Sequence, residues 1–165
     1  MNAARMSTLE QTFTQQIQAN IGIIRKVIQL YVDDPDDRRD LQQEILYQAW
    51  RSFPSFNGLS KFSTWLYKVS LNTVFTFRRR DTRVPTVALG PAQDHLPASD
   101  EQGTGNAERL YDAIRQLAES ERAVIILHLD GYSNDEIADI AGLTKNNVAV
   151  KLHRIKNELI NRLKG

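Results

Sequence analysis

Residues 144–154 carry a set of side chains that can read the edges of base pairs. Asparagine can hold an adenine edge with two hydrogen bonds, lysine can reach guanine or a phosphate, and valine can touch a thymine methyl group. The N-terminus of a helix also favours a phosphate. The outward positions of this segment combine these types: Thr144, Lys145, Asn146, Asn147, Val150, Lys151 and Arg154. Their presence on one face predicts a helix that lies in the major groove of DNA.

Local signals predict how this helix is positioned. Gly131 suits the left-handed conformation that closes a helix, and Ser133 stands three residues before Glu136, which is a capping box. Gly142 ends the short helix that follows, and Thr144 can cap the next one. The inward positions of that next helix are Val148, Leu152, Ile155, Leu159 and Leu163. Together these signals predict a helix-turn-helix, whereas a plain amphipathic hairpin would not require both the capping box and the basic outer face.

A second aromatic and basic segment lies in the first half of the chain. Trp65, Tyr67 and Lys68 precede the run Arg78-Arg79-Arg80 on a predicted helix from about Lys61 to Arg80. Single-stranded DNA needs cations for its phosphates and aromatic rings for its bases, and each stacked base contributes about 1–3 kcal/mol. The alternative for Trp65 is a place in the core, so Tyr67 and Lys68 are the better candidates for DNA contact.

Apolar residues recur at helical spacing through most of the chain. One stripe consists of Ile17, Ile21, Ile24, Ile28 and Tyr31, and a second of Leu41, Ile45, Ala49 and Phe53. Residues 84–106 have no helical period and no Lys or Arg, but contain three prolines and three glycines, a composition typical of a linker. The sequence therefore predicts an all-α protein with two small helical bundles, residues 10–83 and 108–165, joined by a flexible linker at residues 84–107.

The overall charge of +1 conceals two basic zones. Residues 1–83 carry 12 Lys/Arg against 8 Asp/Glu, and residues 144–165 carry 6 against 1. Residues 84–107 carry 3 acidic residues and no basic one. Nucleic-acid binding requires local positive charge rather than a high overall pI, although solvated helix faces would give a similar distribution.

Several function classes lack the residues that they need. The chain has no cysteine, which excludes disulfides, cysteine zinc sites and cysteine nucleophiles. His95, His128 and His153 share no metal-binding or catalytic spacing, and the HExxH, GxSxG and GxxxxGKS/T patterns do not occur. We therefore expect no enzymatic activity, no metal and no cofactor. No apolar run reaches the roughly 18 residues of a membrane span and no secretory signal opens the chain, so we expect a cytoplasmic protein.

Three segments, in this order, resemble those of the extracytoplasmic-function (ECF) sigma factors, a subfamily of the bacterial sigma-70 family. Residues 36–50 resemble their polymerase-binding helix, residues 56–72 their promoter-melting and −10-reading segment, and residues 131–154 their −35-reading helix-turn-helix. The second segment has the specific pattern of Phe62, Trp65, Leu66, Tyr67, Lys68 and Asn72. The resemblance implies a sigma-2-like and a sigma-4-like domain on the two sides of the linker.

The resemblance also implies a role for each segment. The residues that would grip the clamp helices of the largest polymerase subunit are Asp40, Gln43, Glu44 and Gln48. The residues that would bind and melt the −10 element are Asn57, Ser60, Lys61, Trp65, Tyr67, Lys68, Asn72, Arg78, Arg79 and Arg80. Within this set, the loop from Asn57 to Lys61 and Asn72 would form a pocket for one flipped base. The outward helix-turn-helix residues would bind the −35 element.

The implied function is that of a sigma factor, which binds the clamp helices and flap of core RNA polymerase and directs it to promoter DNA. An anti-sigma factor is the expected regulator, and no insertion of the chain into a membrane is expected. The alternative is a helix-turn-helix regulator with a helical sensing or dimerisation domain. It explains residues 108–165 equally well, but it does not explain the Trp-Leu-Tyr segment or the second basic zone.

Overall fold

The computed structural model describes residues 2–83 and 105–164, with side chains at residues 7–80 and 105–164. The chain divides into a first unit, Met1–Arg80, and a second unit, Asp81–Gly165. Within the described ranges the structure consists of helices and turns without a strand, so the all-α prediction with two bundles is confirmed. None of the helices in these ranges has the length and apolar character needed to cross a membrane.

The helices before the predicted linker are α1 (Asn2–Tyr31), α2 (Pro35–Ser52), a 3-10 turn (Phe53–Ser55) and α3 (Phe62–Arg83). The helices after it are α4 (Gly105–Arg115), α5 (Glu119–Leu129), α6 (Asn134–Ala141) and α7 (Lys145–Lys164). Residues 84–104 of the predicted linker lie outside the described residues. The last three residues of the predicted linker, 105–107, are instead the start of α4. The sequence did not predict this first turn, because it is largely exposed and has no apolar periodicity.

The junction between α1 and α2 is built by polar side chains. Pro35 suits the first turn of α2, where its missing N–H has no helical partner to lose, and Asp34 caps this helix by accepting a 3.2 Å hydrogen bond from the Asp37 backbone. The carbonyls at the end of α1 have no helical donors. Arg38 Nε donates to the Val32 carbonyl at 2.7 Å, and Arg78 Nη1 donates to the Tyr31 carbonyl at 2.8 Å.

The core of the first unit contains most residues of the two predicted stripes and further residues outside them, among them Val27, Leu66 and Val74. Its fully buried residues include Ile24, Val27, Leu41, Ile45, Ala49, Leu66 and Val74. The α1 helix is kinked at Asn20, whose backbone is non-helical (φ −123°, ψ 15°) and whose side-chain amide donates to the Gln16 carbonyl at 2.8 Å. A side chain that bonds to its own helix backbone is a recognised cause of such a bend.

Six rings of the first unit form an aromatic cluster, which consists of Phe13, Trp50, Phe53, Phe56, Phe62 and Trp65. The ring centroids of its contacting pairs lie 5.1–6.2 Å apart. These spacings lie in the range at which aromatic pairs attract each other. The cluster encloses both ends of the loop that joins the 3-10 turn to α3, so it fixes where that loop leaves the body of the unit.

The second unit contains the predicted helix-turn-helix, α6 and α7. Gly131 and Gly142 have positive φ values of 92° and 70°, as a helix stop requires. Ser133 Oγ accepts from the Glu136 backbone at 3.2 Å, so the predicted cap at Ser133 is confirmed. The Glu136 carboxylate accepts from the Ser133 hydroxyl at 3.1 Å rather than from the Ser133 backbone N–H, as it would in a complete capping box. The core beneath the two helices is apolar and includes Ile114, Leu127, Ile137, Val148 and Ile155, all fully buried.

Candidate nucleic-acid interface

One face of α7 presents the predicted DNA-reading residues. Lys145, Asn146, Asn147, Val150 and Arg154 are exposed, and Lys151 is half-buried. On the opposite face Val148, Leu152, Ile155 and Leu159 are buried. The apolar face holds the helix against α4, α5 and α6, so the polar face is left for a partner. Val150 is 51% exposed although it is apolar, which suits a methyl contact better than a place in the core.

The N-terminus of α7 is capped by the side chain of Thr144. Thr144 Oγ1 accepts a 3.1 Å hydrogen bond from the Asn147 backbone, so the predicted capping role of Thr144 is confirmed. This bond satisfies one of the backbone donors that a helix start leaves without a partner. The cap therefore fixes the first turn, which carries the side chains of Lys145, Asn146 and Asn147.

An acidic neighbour of Lys145 on α7 was not predicted. Asp135 Oδ2 lies 3.4 Å from Lys145 Nζ, with side chains that are 72% and 67% exposed. The two residues are ten positions apart in sequence and lie in the first turns of α6 and α7, which the turn at Gly142 connects. An exposed pair of this kind stabilises the fold by about 0–1 kcal/mol. The pair matters instead because it orients the side chain of Lys145, which is predicted to contact DNA.

A groove between α2 and α3 brings together residues from both sets predicted in the first unit. It has a volume of about 370 Å³ and is lined by Asp40, Glu44, Gln48, Asn72, Thr73, Thr76, Phe77 and Arg80. Gln48 Nε2 donates to Glu44 Oε1 at 3.1 Å, which orients both side chains along α2. Gln43 is exposed on the same helix but is not part of the lining. Thr73 and Thr76 were missed as lining residues, because the spacing within α3 does not show which residues of α2 they face.

The loop between the 3-10 turn and α3 presents Asn57, Ser60 and Lys61 to solvent. Asn57 Oδ1 accepts from the Leu59 backbone at 3.1 Å, and Gly58 has a φ of 75°, a conformation that an L-residue rarely adopts. Leu59 at the tip is 89% exposed. The sequence did not single out Leu59, although an apolar residue directly after a loop glycine is a signal that could have done so.

Two aromatic residues of the predicted −10 set, Tyr67 and Trp65, pack into the first unit. Tyr67 is 1% exposed, so the prediction that its ring contacts DNA is wrong. The buried face of α3 is broad and includes Leu66, Tyr67, Ser70, Leu71 and Val74, and the residue after a core leucine therefore also faces inward. Trp65 is half-buried in the aromatic cluster, which agrees with the core alternative for this residue.

The three arginines of α3 do not share one role. Arg78 is half-buried, donates to the Tyr31 carbonyl at 2.8 Å, and places its guanidinium carbon 5.7 Å from the Tyr31 ring. Arg79 and Arg80 are exposed. Consecutive residues on a helix point about 100° apart, so three in a row do not all lie on one face. The expectation that Arg78 contacts DNA is therefore corrected, since this residue joins α3 to the end of α1. Lys68 and Asn72 are exposed, as expected.

His128 is the titratable group with a perturbed environment in the second unit. It lies half-buried in the last turn of α5. Burial, and secondly the charge of Lys156, lower the pKa of His128 below its usual value. His153 is exposed on α7, 3.4 Å from the Asn157 amide nitrogen. The residues that the structure describes contain no group of three or more His, Asp or Glu side chains placed to hold a metal ion.

Comparison with protein families finds two matches in this chain. The model of "Sigma-70 region 2" matches residues 17–84, and that of "Sigma-70, region 4" matches residues 107–159. The ECF RNA polymerase sigma-E factor of Haemophilus influenzae is 30% identical over 142 residues, which cover 78% of this chain and 75% of that protein. The RNA polymerase sigma factor YlaC of Bacillus subtilis is 28% identical over 128 residues, which cover 73% of this chain and 74% of that protein.

Two solved structures share the fold. The sigma factor RpoE from Bartonella quintana, in complex with the anti-sigma factor NepR, has a TM-score of 0.73 at 24% identity, covering 93% of this chain and 98% of that chain. CnrH, in complex with the cytosolic domain of CnrY, has a TM-score of 0.67 at 20% identity, covering 94% and 89%. At these identities the likeness extends to the fold and not to individual contacts.

Proposed function

Because the chain belongs to the ECF subfamily of the sigma-70 family, whose members are transcription initiation factors for RNA polymerase, we propose that its two domains divide the promoter between them. In this proposal residues 10–83 bind core polymerase and act on the −10 element, and residues 108–165 bind the −35 element. Residues 84–107 connect the two. The matches to region 2 and region 4 at residues 17–84 and 107–159 support this division.

The observation that carries the −35 assignment is the polar face of α7. Its exposed asparagines and lysine stand in the first turn, the exposed Val150 and Arg154 follow, and the half-buried Lys151 lies between them. A helix that enters the major groove reads bases with the residues of its N-terminal part, and the types present can pair with adenine, guanine and the thymine methyl group. Thr144 supports this face as the cap rather than as a base reader.

Polymerase binding is assigned to the α2 side of the groove. Asp40, Glu44 and Gln48 present carboxylate and amide groups there, and the exposed Gln43 extends the same helix surface. Carboxylates are suited to basic side chains of a partner helix, with which they form charge-assisted hydrogen bonds. The proposed partner is the pair of clamp helices of the largest polymerase subunit, and the second domain is proposed to contact the flap.

Melting of the −10 element is assigned to the loop and to the exposed side of α3. The loop presents Asn57, Ser60 and Lys61, and α3 presents Lys68, Asn72, Arg79 and Arg80. A flipped base costs a few kcal/mol of stacking and pairing, so a pocket formed by the loop and Asn72 would offset that cost. Trp65 would support this pocket by packing against Phe56 and Phe62 in the aromatic cluster, rather than by stacking on bases itself.

Control by an anti-sigma factor is part of the proposal. Both similar structures are complexes, one of a sigma factor with the anti-sigma factor NepR and one of CnrH with the cytosolic domain of CnrY. A protein of this fold thus offers surfaces that a second protein can cover. We propose that the protein acts in the cytoplasm, where polymerase is found. We assign no catalytic step to the protein itself.

The test is reconstitution of the full chain with core RNA polymerase on promoter fragments. We expect association with core and run-off transcripts from cognate promoters that depend on both the −10 and the −35 sequence. The matched variants are Gln43→Ala and Gln11→Ala, both exposed glutamines of the first unit, of which only the first should weaken binding to core. Tight binding of duplex DNA as a dimer, without association with polymerase, would instead identify a conventional helix-turn-helix regulator.

A further inference from the structure

Phe53 is the centre of the aromatic cluster. It is 7% exposed, and its ring centroid lies 5.2 Å from that of Phe13, 6.1 Å from that of Trp65 and 6.2 Å from those of Phe56 and Phe62. Interiors are close-packed and respond to a missing ring by local rearrangement. A change at one edge of the cluster therefore reaches the other rings through Phe53.

One ring of the cluster comes from an N-terminal arm, defined here as residues 2–19, which precede the kink at Asn20. Among residues 7–16, Leu9 and Phe13 are the two that are not fully exposed. Phe13 makes the ring contacts, at 5.1 Å from Trp50 and 5.2 Å from Phe53. Most of this arm lies before residue 17, where the match to sigma-70 region 2 begins.

Two other rings of the cluster frame the loop from Asn57 to Lys61. Phe56 directly precedes this loop and Phe62 directly follows it, and the centroids of the two rings lie 5.9 Å apart in an edge-to-face contact. Trp65 contacts both rings, each at 5.3 Å. The two ends of the loop are therefore set by rings of the same cluster that Phe13 joins from the N-terminal arm.

We propose that Phe13 is a positioning residue for this loop and, through it, a determinant of −10 specificity. The inference rests on the proposed function, in which the loop contacts the −10 element. The Phe13 ring packs against Trp50 and Phe53 and so fixes the position of Phe53. Phe53 in turn contacts Phe56 and Phe62, which keep the two ends of the loop at one spacing. Without it the cluster loosens, the loop samples more positions, and the pocket discriminates less between bases.

The experiment uses holoenzyme assembled from core polymerase and the full chain, with a promoter library randomised at the −10 and −35 elements. Phe13→Ala is expected to reduce the preference for the best −10 base by about three- to tenfold, the range that one or two aromatic contacts can contribute, and to leave the −35 preference unchanged. Phe13→Leu, which retains apolar packing, is expected to keep most of the preference and also serves if the alanine variant does not fold.

Two controls separate positioning from general loss of stability. Phe75→Ala removes a half-buried ring from the same unit, where it contacts Tyr31 at 5.6 Å outside the cluster, and is expected to lower the melting temperature without changing the −10 preference. Thr14→Ala changes an exposed residue of the arm and should change neither. Both tryptophans of the chain belong to the cluster, so Phe13→Ala should shift the tryptophan emission to longer wavelength, whereas Phe75→Ala should not.

The possible outcomes are distinct. If Phe13→Ala and Phe75→Ala change the −10 preference equally, or if Phe13→Ala leaves it intact, the positioning role is overturned. If the wild-type holoenzyme itself shows no dependence on the −10 sequence, the proposed function fails before the variants are compared. A reduced −10 preference in Phe13→Ala, with partial recovery in Phe13→Leu and none of the effect in Phe75→Ala, supports the proposal.

Discussion

Asn147 is a residue of the exposed face of α7 whose backbone and side chain can be tested separately. Its N–H donates to Thr144 Oγ1 at 3.1 Å and its side chain is exposed. Replacement by alanine therefore preserves the cap and removes the amide that could hold a base. If it reads a base, Asn147→Ala should weaken −35 binding by about 1–3 kcal/mol and relax the preference at one position.

Competition binding on fragments with single −35 substitutions measures this effect. Asn161→Ala is the matched control, because Asn161 is also exposed on α7 but lies towards its C-terminal end. An equal loss of affinity on every fragment would show that Asn147 contacts the backbone of DNA rather than a base.

Arg78 and Arg79 are neighbours that should respond differently to mutation. Arg79→Ala should weaken binding to all DNA sequences and flatten the salt dependence of log K by about 0.9, if it pairs with one phosphate. Arg78→Ala removes the 2.8 Å hydrogen bond to the Tyr31 carbonyl and the guanidinium above the Tyr31 ring, so it should instead destabilise the first unit by about 1–3 kcal/mol.

Salt titrations of binding and thermal melts of both variants separate the two roles. The assignment is contradicted if Arg78→Ala changes the salt dependence without changing the melting temperature. It is contradicted equally if Arg79→Ala lowers the melting temperature as much as Arg78→Ala does.

At the scale of elements, the turn at Gly142 sets the geometry of the helix-turn-helix. Its φ of 70° is left-handed, and a Cβ at this position would meet no atom within 4 Å. The cost of Gly142→Ala is therefore conformational rather than steric, and we expect a loss of about 1–2 kcal/mol in the stability of the second unit. Gly105→Ala is the control, because Gly105 is helical and equally open; chemical denaturation should show no loss for this variant.

The contact between α5 and α7 should be sensitive to pH through His128. Its pKa in the folded protein is lowered by burial and by Lys156, so the folded state disfavours the proton relative to the unfolded chain, where the value is about 6.5. Stability is fully present above that value and is lost as the pH falls through it towards the folded pKa. Melts between pH 5 and 8 should show this loss, and His128→Gln should reduce it. His153→Gln, at an exposed position of α7, should leave it unchanged.

The elements that the sequence predicted well are those with local signals. The helix cap at Ser133, the turn at Gly142 and the apolar stripe of α7 each depend on residues close together in sequence, so their geometry follows from sequence spacing alone. Tyr67 and Arg78 were assigned wrongly because their roles depend on contacts across the unit. Asp135 was missed for the same reason, since its partner Lys145 lies on another helix.

At the scale of the whole molecule, the chain consists of two units and has a net charge of only +1. Their contact surfaces differ in character. The second unit presents base-reading types on one helix, whereas the first unit combines acidic, amide and basic groups in one groove.

The groove of the first unit has a thermodynamic consequence. Asp40, Glu44 and Gln48, assigned to polymerase, share it with Asn72 and Arg80, assigned to DNA. The two sets of side chains are different but line one groove, so a ligand bound to one set can change the affinity of the other set for its own ligand. Under the proposed assignment, linkage requires that promoter DNA change the affinity of this domain for polymerase by the same factor as polymerase changes its affinity for DNA.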